Sequence, residues 1–193
     1  MKEKVLIGNG GFAREIIADY GKKLKCFVSK KYWNDDCELL EDFDPDKHLA
    51  LIAVGDPKSK LMLQKQLPAE TIYWTHISKR AHVLDIATIE IGDGCAIMAG
   101  CVLTTNIKIG NHVHLNLNTT VGHDSEIMDY STTAPAVNVS GNVTIHDFVY
   151  LGTGAIVREK LQICKNCTIG MNAGVVKSIT KTGTYIGTPA KLI

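Results

Sequence analysis

The chain has 193 residues and a formal net charge of +1, with 20 acidic and 21 basic side chains. This near-equality of positive and negative charge argues against nucleic acid or an anionic membrane as the partner and favours a small molecule. The N-terminal apolar run, Val5-Leu6-Ile7, is too short for a signal peptide, and no stretch approaches a membrane span. We therefore expect a cytoplasmic protein whose six cysteines stay reduced.

Residues 1–75 alternate between strand and helix patterns. One helix is closed by Gly21, and a second opens at Asp56-Pro57, an N-cap followed by a proline in the first turn, and runs to about Leu67. The predicted strands are Lys4–Ile7, Leu24–Val28, Leu49–Val54 and Thr71–Thr75. This βαβαβ order predicts a small Rossmann-like domain with a parallel sheet and a ligand crevice at the carboxyl ends of the strands.

The turn after the first strand has the spacing of dinucleotide-binding loops, Gly8-x-Gly10-x-x-Ala13. In such loops backbone N–H groups approach a diphosphate at a helix N-terminus. Two features count against NAD: a domain this short lacks a second mononucleotide half, and Ser29-Lys30 replaces the acidic residue that would hold a ribose. The loop therefore favours a phosphate or diphosphate of another nucleotide, with a tight structural turn as the alternative. Gly55-Asp56 follows a neighbouring strand and is expected to line the same crevice.

From residue 91 to residue 175, every sixth position holds Ile, Leu or Val, with Thr133 the one exception. This period fits neither a helix nor an alternating strand, but it fits a three-sided parallel β-helix with one short strand and one corner per side. One coil then takes eighteen residues, and turn-forming pairs such as Gly92-Asp93 and Gly110-Asn111 recur at that interval. We expect about five coils between residues 89 and 177, within an all-β domain that covers 76–193 and ends in a short tail.

Cys95, Cys101 and Cys167 fall on a second inward row of small residues, where a thiol packs as a small hydrophobe. In the pair Cys164-x-x-Cys167, one thiol should lie at a corner and the other inside, so the two should diverge. This favours packing over metal or redox chemistry. The flat outer faces of the coil should need covering, which predicts self-association.

His123 lies two residues after the inward Val121, at a corner, so its ring is expected to point outward. Asp124 follows directly and can orient the ring and stabilise its protonated form. One coil later, a backbone N–H near Gly141 should stack above the ring. A base beside an N–H donor is the arrangement that acyl transfer needs. An exposed His-Asp corner without a function is the alternative.

Histidines on this scaffold could also hold zinc, but His112, His114 and His123 do not share a face, so we predict no metal. His114 lies one coil below Thr132 and is expected to face outward and line the same groove as His123.

Three segments resemble the hexapeptide-repeat acyltransferases: Gly8–Glu15, Leu115–Asp124 and Tyr185–Leu192. The resemblance is to the nucleotide-aminosugar N-acetyltransferases and sialic-acid O-acetyltransferases, which join a small nucleotide-sugar-binding domain to a left-handed β-helix. It implies a cytoplasmic homotrimer with active sites between adjacent β-helices. It also implies that acetyl-CoA is used, without a metal, to acetylate the amino group of a nucleotide-linked amino-dideoxy sugar for surface glycan synthesis, in lipopolysaccharide or capsule.

The same resemblance implies roles for individual residues. His123 would be the general base, Asp124 its carboxylate, and Gly141 the amide that faces the thioester carbonyl. The expected substrate-binding residues are Gly8, Asn9, Gly10, Gly11, Phe12, Gly55, Asp56, Asn116 and Asn118. The expected acyl-CoA-binding residues are Thr132, Gly141, Gly152 and Gly170. Phe12 and Thr132 depart from the family, because many members carry histidine at these two positions.

Three alternatives remain at this point: an O-acetyltransferase acting on a sugar such as sialic acid, a non-catalytic nucleotide-sugar-binding protein, and a metal-dependent carbonic anhydrase of the γ type. The sequence does not specify the nucleotide (UDP, dTDP or GDP), the sugar or the acyl group.

Overall fold

The computed structural model describes residues 2–193, which begin with a four-stranded parallel sheet of order β3-β2-β1-β4. Its strands are β1 (Glu3–Ile7), β2 (Lys25–Val28), β3 (Glu38–Leu39) and β4 (His48–Ile52). The two helices are α1 (Gly11–Tyr20) and α2 (Pro57–Gln64). Single 3-10 turns lie at Lys30–Tyr32, Leu40–Asp42 and Ile86–Thr88. Among residues 2–193, neither helix is long and apolar enough to cross a membrane.

The helix boundaries follow the local signals in the sequence. α1 ends at Gly21, whose φ of 75° is left-handed, and α2 begins after Asp56, whose carboxylate accepts a hydrogen bond from Ser59 N. The strand predicted at Thr71–Thr75 is wrong, because only Tyr73 pairs there, as a single bridge to Ala50. The chain leaves the sheet at that point to enter the next part of the fold at His76.

The rest of the chain winds as a parallel β-helix. Its strands, in chain order, are β5 (His76–Ile77), β6 (His82–Val83), β7 (Ile89–Ile91), β8 (Ala96–Ile97), β9 (Val102–Leu103), β10 (Ile107–Ile109), β11 (His114–Leu115), β12 (Thr120–Val121), β13 (Glu126–Ile127), β14 (Thr132–Thr133), β15 (Asn138–Val139), β16 (Thr144–Ile145), β17 (Tyr150–Leu151), β18 (Ile156–Val157), β19 (Gln162–Ile163), β20 (Thr168–Ile169), β21 (Gly174–Val175), β22 (Thr184–Ile186) and β23 (Lys191–Leu192).

These strands form three ladders, which we call faces one, two and three. Face one contains β5, β8, β11, β14, β17, β20 and β22, with β23 added antiparallel at the end. Face two contains β6, β9, β12, β15, β18 and β21, and face three contains β7, β10, β13, β16 and β19. Partners in successive coils are 18 residues apart along most of the stack, as in Leu115 and Thr133.

The first coil is longer than the repeat predicts. His76 pairs with Ala96 and His82 with Val102, a spacing of 20 residues, before the 18-residue spacing begins. The β-helix therefore starts at His76, ahead of the regular aliphatic series, and the 3-10 turn at Ile86–Thr88 lies in this longer coil.

The corners have their own six-residue period. A residue with left-handed φ, between 52° and 74°, occupies every sixth position from Gly94 to Asn172. Asn, Asp and Gly tolerate this conformation best, and they fill most of these positions. Three aromatic residues also adopt it and stack along one corner, with ring centroids 5.1 Å apart for His112 and Tyr130 and 5.0 Å for Tyr130 and Phe148.

The inside of the coil is a continuous apolar core, made by the predicted aliphatic row and the row of small residues beside it. Cys95, Cys101 and Cys167 are buried there as expected. The prediction that the thiols of Cys164 and Cys167 diverge is wrong, since their sulfur atoms lie 3.5 Å apart. All six cysteines are free thiols.

The N-terminal sheet and its helices pack on face one of the β-helix. Leu6 and Ile16 share one core cluster with Ala96 and Met98, so the chain changes topology near residue 75 within a continuous core. His114 is on face one and is 1% exposed because the N-terminal part covers it, which corrects the expectation that it lines an open groove. This burial lowers the pKa of His114 well below its usual value.

Candidate active site

His123 is located at the corner between β12 on face two and β13 on face three, and its ring points out of the coil as predicted, with 58% of the side chain exposed. Its Nδ1 is 2.6 Å from Oδ2 of Asp124, and the other carboxylate oxygen accepts a hydrogen bond from the Asn106 side chain at 2.5 Å. The Asn106 amide and the His123 ring hold the pKa of the Asp124 carboxyl below its usual value. With Nδ1 as the donor to this ionised carboxylate, Nε2 of His123 is the ring nitrogen left without a partner.

Gly141 is stacked directly on the His123 ring, one coil further along. The Asn142 N–H donates to the His123 carbonyl oxygen at 2.7 Å, which fixes the register of the two corners. A Cβ on residue 141 would be 2.6 Å from His123 Nε2, so only glycine leaves room for the ring in this position. Among residues 2–193, the Gly141 N–H makes no hydrogen bond. A free donor thus lies beside a free base, which can serve a reaction that creates an oxyanion.

The second feature is a cavity of about 530 Å³ at the carboxyl ends of β1, β2 and β4. The predicted residues Gly8, Asn9, Gly10, Gly11, Phe12 and Gly55 all line it, and we call it the glycine-loop cavity. No lining residue is charged, so a bound diphosphate would depend on backbone N–H groups at the start of α1. The Asn9 side chain donates to the Tyr32 carbonyl oxygen at 3.4 Å and contacts Cys37 Sγ at 3.1 Å, which ties down the loop after β2.

Four polar residues line this cavity that the sequence patterns did not single out: Ser29, Tyr32, Ser59 and Gln66. Ser29 and Tyr32 follow β2, so the rule that ligands bind at the carboxyl ends of parallel strands could have found them. Ser59 and Gln66 reach the cavity from α2 and the residues after it, and their placement depends on how that helix packs. Asn106 was missed as well, although its position 18 residues before Asp124 was a usable signal.

Thr132 does not have the position expected of an acyl-CoA contact. It is 4% exposed on face one, where Lys60 of α2 donates to its hydroxyl oxygen at 2.8 Å. Lys60 is fully buried and also donates to the carbonyl oxygens of His112 and Ser131, at 2.7 and 3.2 Å. The prediction for Thr132 is therefore corrected: its hydroxyl anchors α2 to the β-helix. Burial lowers the pKa of Lys60 well below its usual value.

The remaining predicted residues lie away from the His123 corner. Asn116 and Asn118 occupy the preceding corner, between faces one and two, where the Asn116 side chain accepts a hydrogen bond from Leu117 N at 2.7 Å. Gly152 and Gly170 stack on each other at this same type of corner, since a Cβ on Gly152 would meet Met171 N at 2.7 Å. Close packing between coils explains both glycines, and their contact with an acyl donor stays a prediction.

Asp56 does not line the glycine-loop cavity. Its carboxylate caps α2 and accepts a hydrogen bond from Ser59 N at 2.8 Å. It borders a neighbouring groove beside Phe148 and Tyr150 instead. Among residues 2–193, no group of three or more His, Cys, Asp or Glu side chains is placed to hold a metal ion.

The two features are on opposite sides of one chain. The glycine-loop cavity belongs to the part that covers face one, whereas His123 is on the corner between faces two and three. In a three-sided coil this corner is the one opposite face one. Six residues per side, at about 3.3 Å each, make a side of up to about 20 Å. The glycine-loop cavity and His123 therefore face different sides of the same chain.

Comparison with known proteins gives a consistent class. No family model matches the chain. It is 32% identical over 167 residues to galactoside O-acetyltransferase of Lactococcus lactis, an alignment that covers 83% of this chain and 77% of that protein. It is 39% identical over 69 residues to GDP-perosamine N-acetyltransferase of Escherichia coli O157:H7, which covers 36% of this chain and 31% of that protein. The chain spans only part of the N-acyltransferase relatives that it matches: 31% of the length of this one and 49% of the length of a second.

Solved structures match over the whole chain. WeeI from Acinetobacter baumannii superposes with a TM-score of 0.84 at 28% identity and full coverage of both chains. PerB from Caulobacter crescentus, solved with CoA and GDP-perosamine, superposes with a TM-score of 0.89 at 22% identity and covers 100% of this chain and 98% of that one.

The fold is that of the left-handed β-helix acetyltransferases, since a coil of the opposite hand could not superpose at these scores. With a relative that matches across most of both chains, the family is also defined. The chain belongs to the hexapeptide-repeat sugar acetyltransferases.

Proposed function

We propose that the protein is an acetyl-CoA-dependent N-acetyltransferase that acts on the amino group of a nucleotide-linked amino-dideoxy sugar. The observation that carries the proposal is the corner where His123, Asp124 and Gly141 meet, with a free ring nitrogen beside a free backbone N–H. The glycine-loop cavity supports a nucleotide diphosphate as the handle of the substrate, because the N-terminus of α1 opens into it. Similarity to a GDP-perosamine N-acetyltransferase supports the amino sugar as acceptor.

In the proposed mechanism each group has a separate role. Nε2 of His123 accepts a proton from the sugar amine as the nitrogen attacks the thioester carbonyl carbon, and the N–C bond forms. The Gly141 N–H donates to the oxyanion of the tetrahedral intermediate. The C–S bond then breaks, and His123 returns the proton to the departing CoA sulfur. Asp124 stabilises the imidazolium between the two transfers, through its hydrogen bond to Nδ1.

The separation of cavity and base within one chain supports an active site shared between copies. A nucleotide sugar held in the cavity of one chain would be acetylated by His123 of an adjacent chain in a homotrimer. The exposed apolar side chains of the β-helix surface, which include Leu84 and Ile156, support a covered face. We place the enzyme in the cytoplasm, since its six thiols are free. Its resemblance to the nucleotide-aminosugar N-acetyltransferases supports a role in surface glycan synthesis.

One observation favours a second function, O-acetylation of a sugar. The relative that aligns over 83% of this chain is a galactoside O-acetyltransferase. The same base and N–H donor serve a hydroxyl acceptor equally well, so the corner itself does not separate the two. The glycine-loop cavity favours a nucleotide-linked acceptor over a free sugar.

The test is CoA release from acetyl-CoA with GDP-perosamine and with 4-amino-4,6-dideoxy sugars linked to UDP or dTDP, beside a free galactoside and sialic acid. We expect turnover with one of the nucleotide-linked amines and a loss of at least about 10²-fold in His123→Ala, the usual contribution of a general base. Mixing His123→Ala with a variant blocked in the cavity, Gly10→Trp, should restore partial activity if the site is shared. Activity only on free sugars would support the O-acetyltransferase, and full activity in His123→Ala would reject the mechanism.

A further inference from the structure

A second cavity, of about 300 Å³, lies where the end of α1 meets the first coil of the β-helix. It shares no lining residue with the glycine-loop cavity, and none of the His123 corner. We call it the junction cavity, and a ligand bound there would take no part in the proposed acetylation. Three lysines line its wall, Lys4, Lys22 and Lys79, whereas no charged residue lines the glycine-loop cavity.

These three ammonium groups have no carboxylate within 4 Å anywhere in residues 2–193. Lys4 is held by aromatic rings instead, with its Nζ 4.8 Å from the centroid of Trp74 and 5.7 Å from that of Tyr20. A cation over an aromatic face is retained without its charge being neutralised. The positive charge of the cavity is thus unpaired within residues 2–193, and the aromatic rings hold the part that Lys4 contributes.

The one carboxylate in the wall, Asp19, is already occupied. Its side chain is 4% exposed and accepts hydrogen bonds from the Arg80 guanidinium at 2.6 Å, the Ser78 hydroxyl at 3.0 Å and His76 Nε2 at 2.8 Å. The Arg80 hydrogen bond, with those of Ser78 and His76, holds the pKa of Asp19 below its usual value against the opposing effect of burial. The carbonyl end of α1 adds partial negative charge, which Lys22, two residues after the helix, offsets.

His76 supplies the observation that points to a ligand. It is 5% exposed and lines the junction cavity, and its Nε2 is hydrogen-bonded to the Asp19 carboxylate. Its Nδ1 has no hydrogen-bond partner among residues 2–193, and it is not one of the ring nitrogens sealed from solvent. The buried His76 imidazole therefore lines a lysine-rich cavity with one ring nitrogen that no group of residues 2–193 satisfies.

We propose that the junction cavity binds a phosphate-type oxyanion with at least two negative charges. Lysine ammonium groups bind such anions as point charges, and Lys4 and Lys79 approach the cavity from β1 and from the loop after β5. The anion is either a soluble phosphorylated compound or the headgroup of an anionic lipid, which share this chemistry. Binding would occur at the junction between the N-terminal sheet and the first coil of the β-helix.

The test uses Trp74 as the reporter. The chain has two tryptophans, so Trp33→Phe leaves Trp74 as the only source of tryptophan fluorescence, with Lys4 directly over its ring. Inorganic diphosphate is titrated into this variant and into Trp33→Phe with Lys4→Gln and Lys79→Gln added. The matched control adds Lys65→Gln and Lys108→Gln, which remove two exposed lysines that line none of the cavities. Circular dichroism confirms that each variant is folded.

We expect a saturable Trp74 signal that the Lys4/Lys79 change weakens by about tenfold or more, as loss of a charge-assisted hydrogen bond predicts. The control change should leave the affinity within about twofold. Because the glycine-loop cavity can also take a diphosphate, the Trp74 signal and the lysine variants identify the junction cavity.

A second arm measures cosedimentation with vesicles of phosphatidylglycerol and phosphatidylcholine against vesicles of phosphatidylcholine alone. Saturation by diphosphate without vesicle binding assigns a soluble ligand. Lysine-dependent binding to the anionic vesicles alone assigns a lipid headgroup. The proposal is overturned if neither probe changes the Trp74 signal, or if the Lys4/Lys79 variant and the control respond alike.

Discussion

Gly141→Ala tests whether the corner geometry is catalytic. The added Cβ would lie 2.6 Å from His123 Nε2 and 2.7 Å from Cε1, so the ring must move by about 0.8 Å to reach the 3.4 Å at which ordinary contact begins. The ring is free to move because 58% of the His123 side chain is exposed, but the movement disturbs its 2.6 Å hydrogen bond to Asp124. Displacing a reacting group by about 1 Å can cost about 10²-fold in rate.

We therefore expect kcat/KM to fall by about 10²-fold in Gly141→Ala, measured as CoA release with acetyl-CoA and the accepted sugar. Gly141 has no left-handed φ, so alanine fits the backbone, and the free energy of unfolding should change by no more than about 0.5 kcal/mol. In a His123→Ala background the clash is gone, and the same methyl group should have no further effect on the residual rate. A Gly141→Ala enzyme with a near-normal kcat/KM would refute the reasoning, and so would a loss of activity that merely follows unfolding.

Two further predictions concern buried groups. Burial lowers the pKa of His112 to about 4. Between pH 6.5 and 4, therefore, the His112 imidazole binds a proton in the unfolded chain but not in the folded one. The free energy of unfolding should fall by about 3 kcal/mol as the pH drops through that window. His112→Asn keeps a residue that tolerates the left-handed corner and should remove this pH dependence of the free energy of unfolding, measured by urea denaturation at pH 4.5 and 7. The control His82→Asn, at an exposed histidine, should keep it. The same pH dependence in the parent protein and both variants would contradict the prediction. Iodoacetamide at pH 8 should label the partly exposed Cys37 and Cys164 well before the thiols whose pKa burial raises, and peptide mass spectrometry showing uniform labelling would disprove this. The pKa is raised to about 11 for Cys26, about 12 for Cys95 and about 11 for Cys101.

The predictable parts of the site are those whose geometry depends on residues close together along the chain. The corner position of His123 follows from its distance to the inward Val121, and the stacking of Gly141 follows from the 18-residue coil. The glycine loop was readable because strand, turn and helix N-terminus are consecutive in the chain. In each case the geometry is set by residues in the same coil or in the next one.

The errors arose where a distant segment covers a surface. His114 and Thr132 have the outward register of face one, but the N-terminal part covers both of them. Phe12 of α1 packs on His114, and α2 inserts Lys60, which is 72 residues away from Thr132 in the chain. A fully buried lysine has no sequence signature, because lysine usually marks an exposed face.

The sequence by itself determined the regular coils of the β-helix, the two helices and the strands β1, β2 and β4 of the N-terminal sheet, and the corner that carries His123; it did not reveal β3 (Glu38–Leu39). These are properties of periodicity and local backbone preference, which hold whatever the rest of the chain does. Only the tertiary structure decided which face the N-terminal sheet covers, that Thr132 anchors α2, and that the cavity and His123 are on opposite sides of one chain. Those features depend on packing between segments far apart in sequence, and a repeat that presents three similar faces does not specify which one is buried.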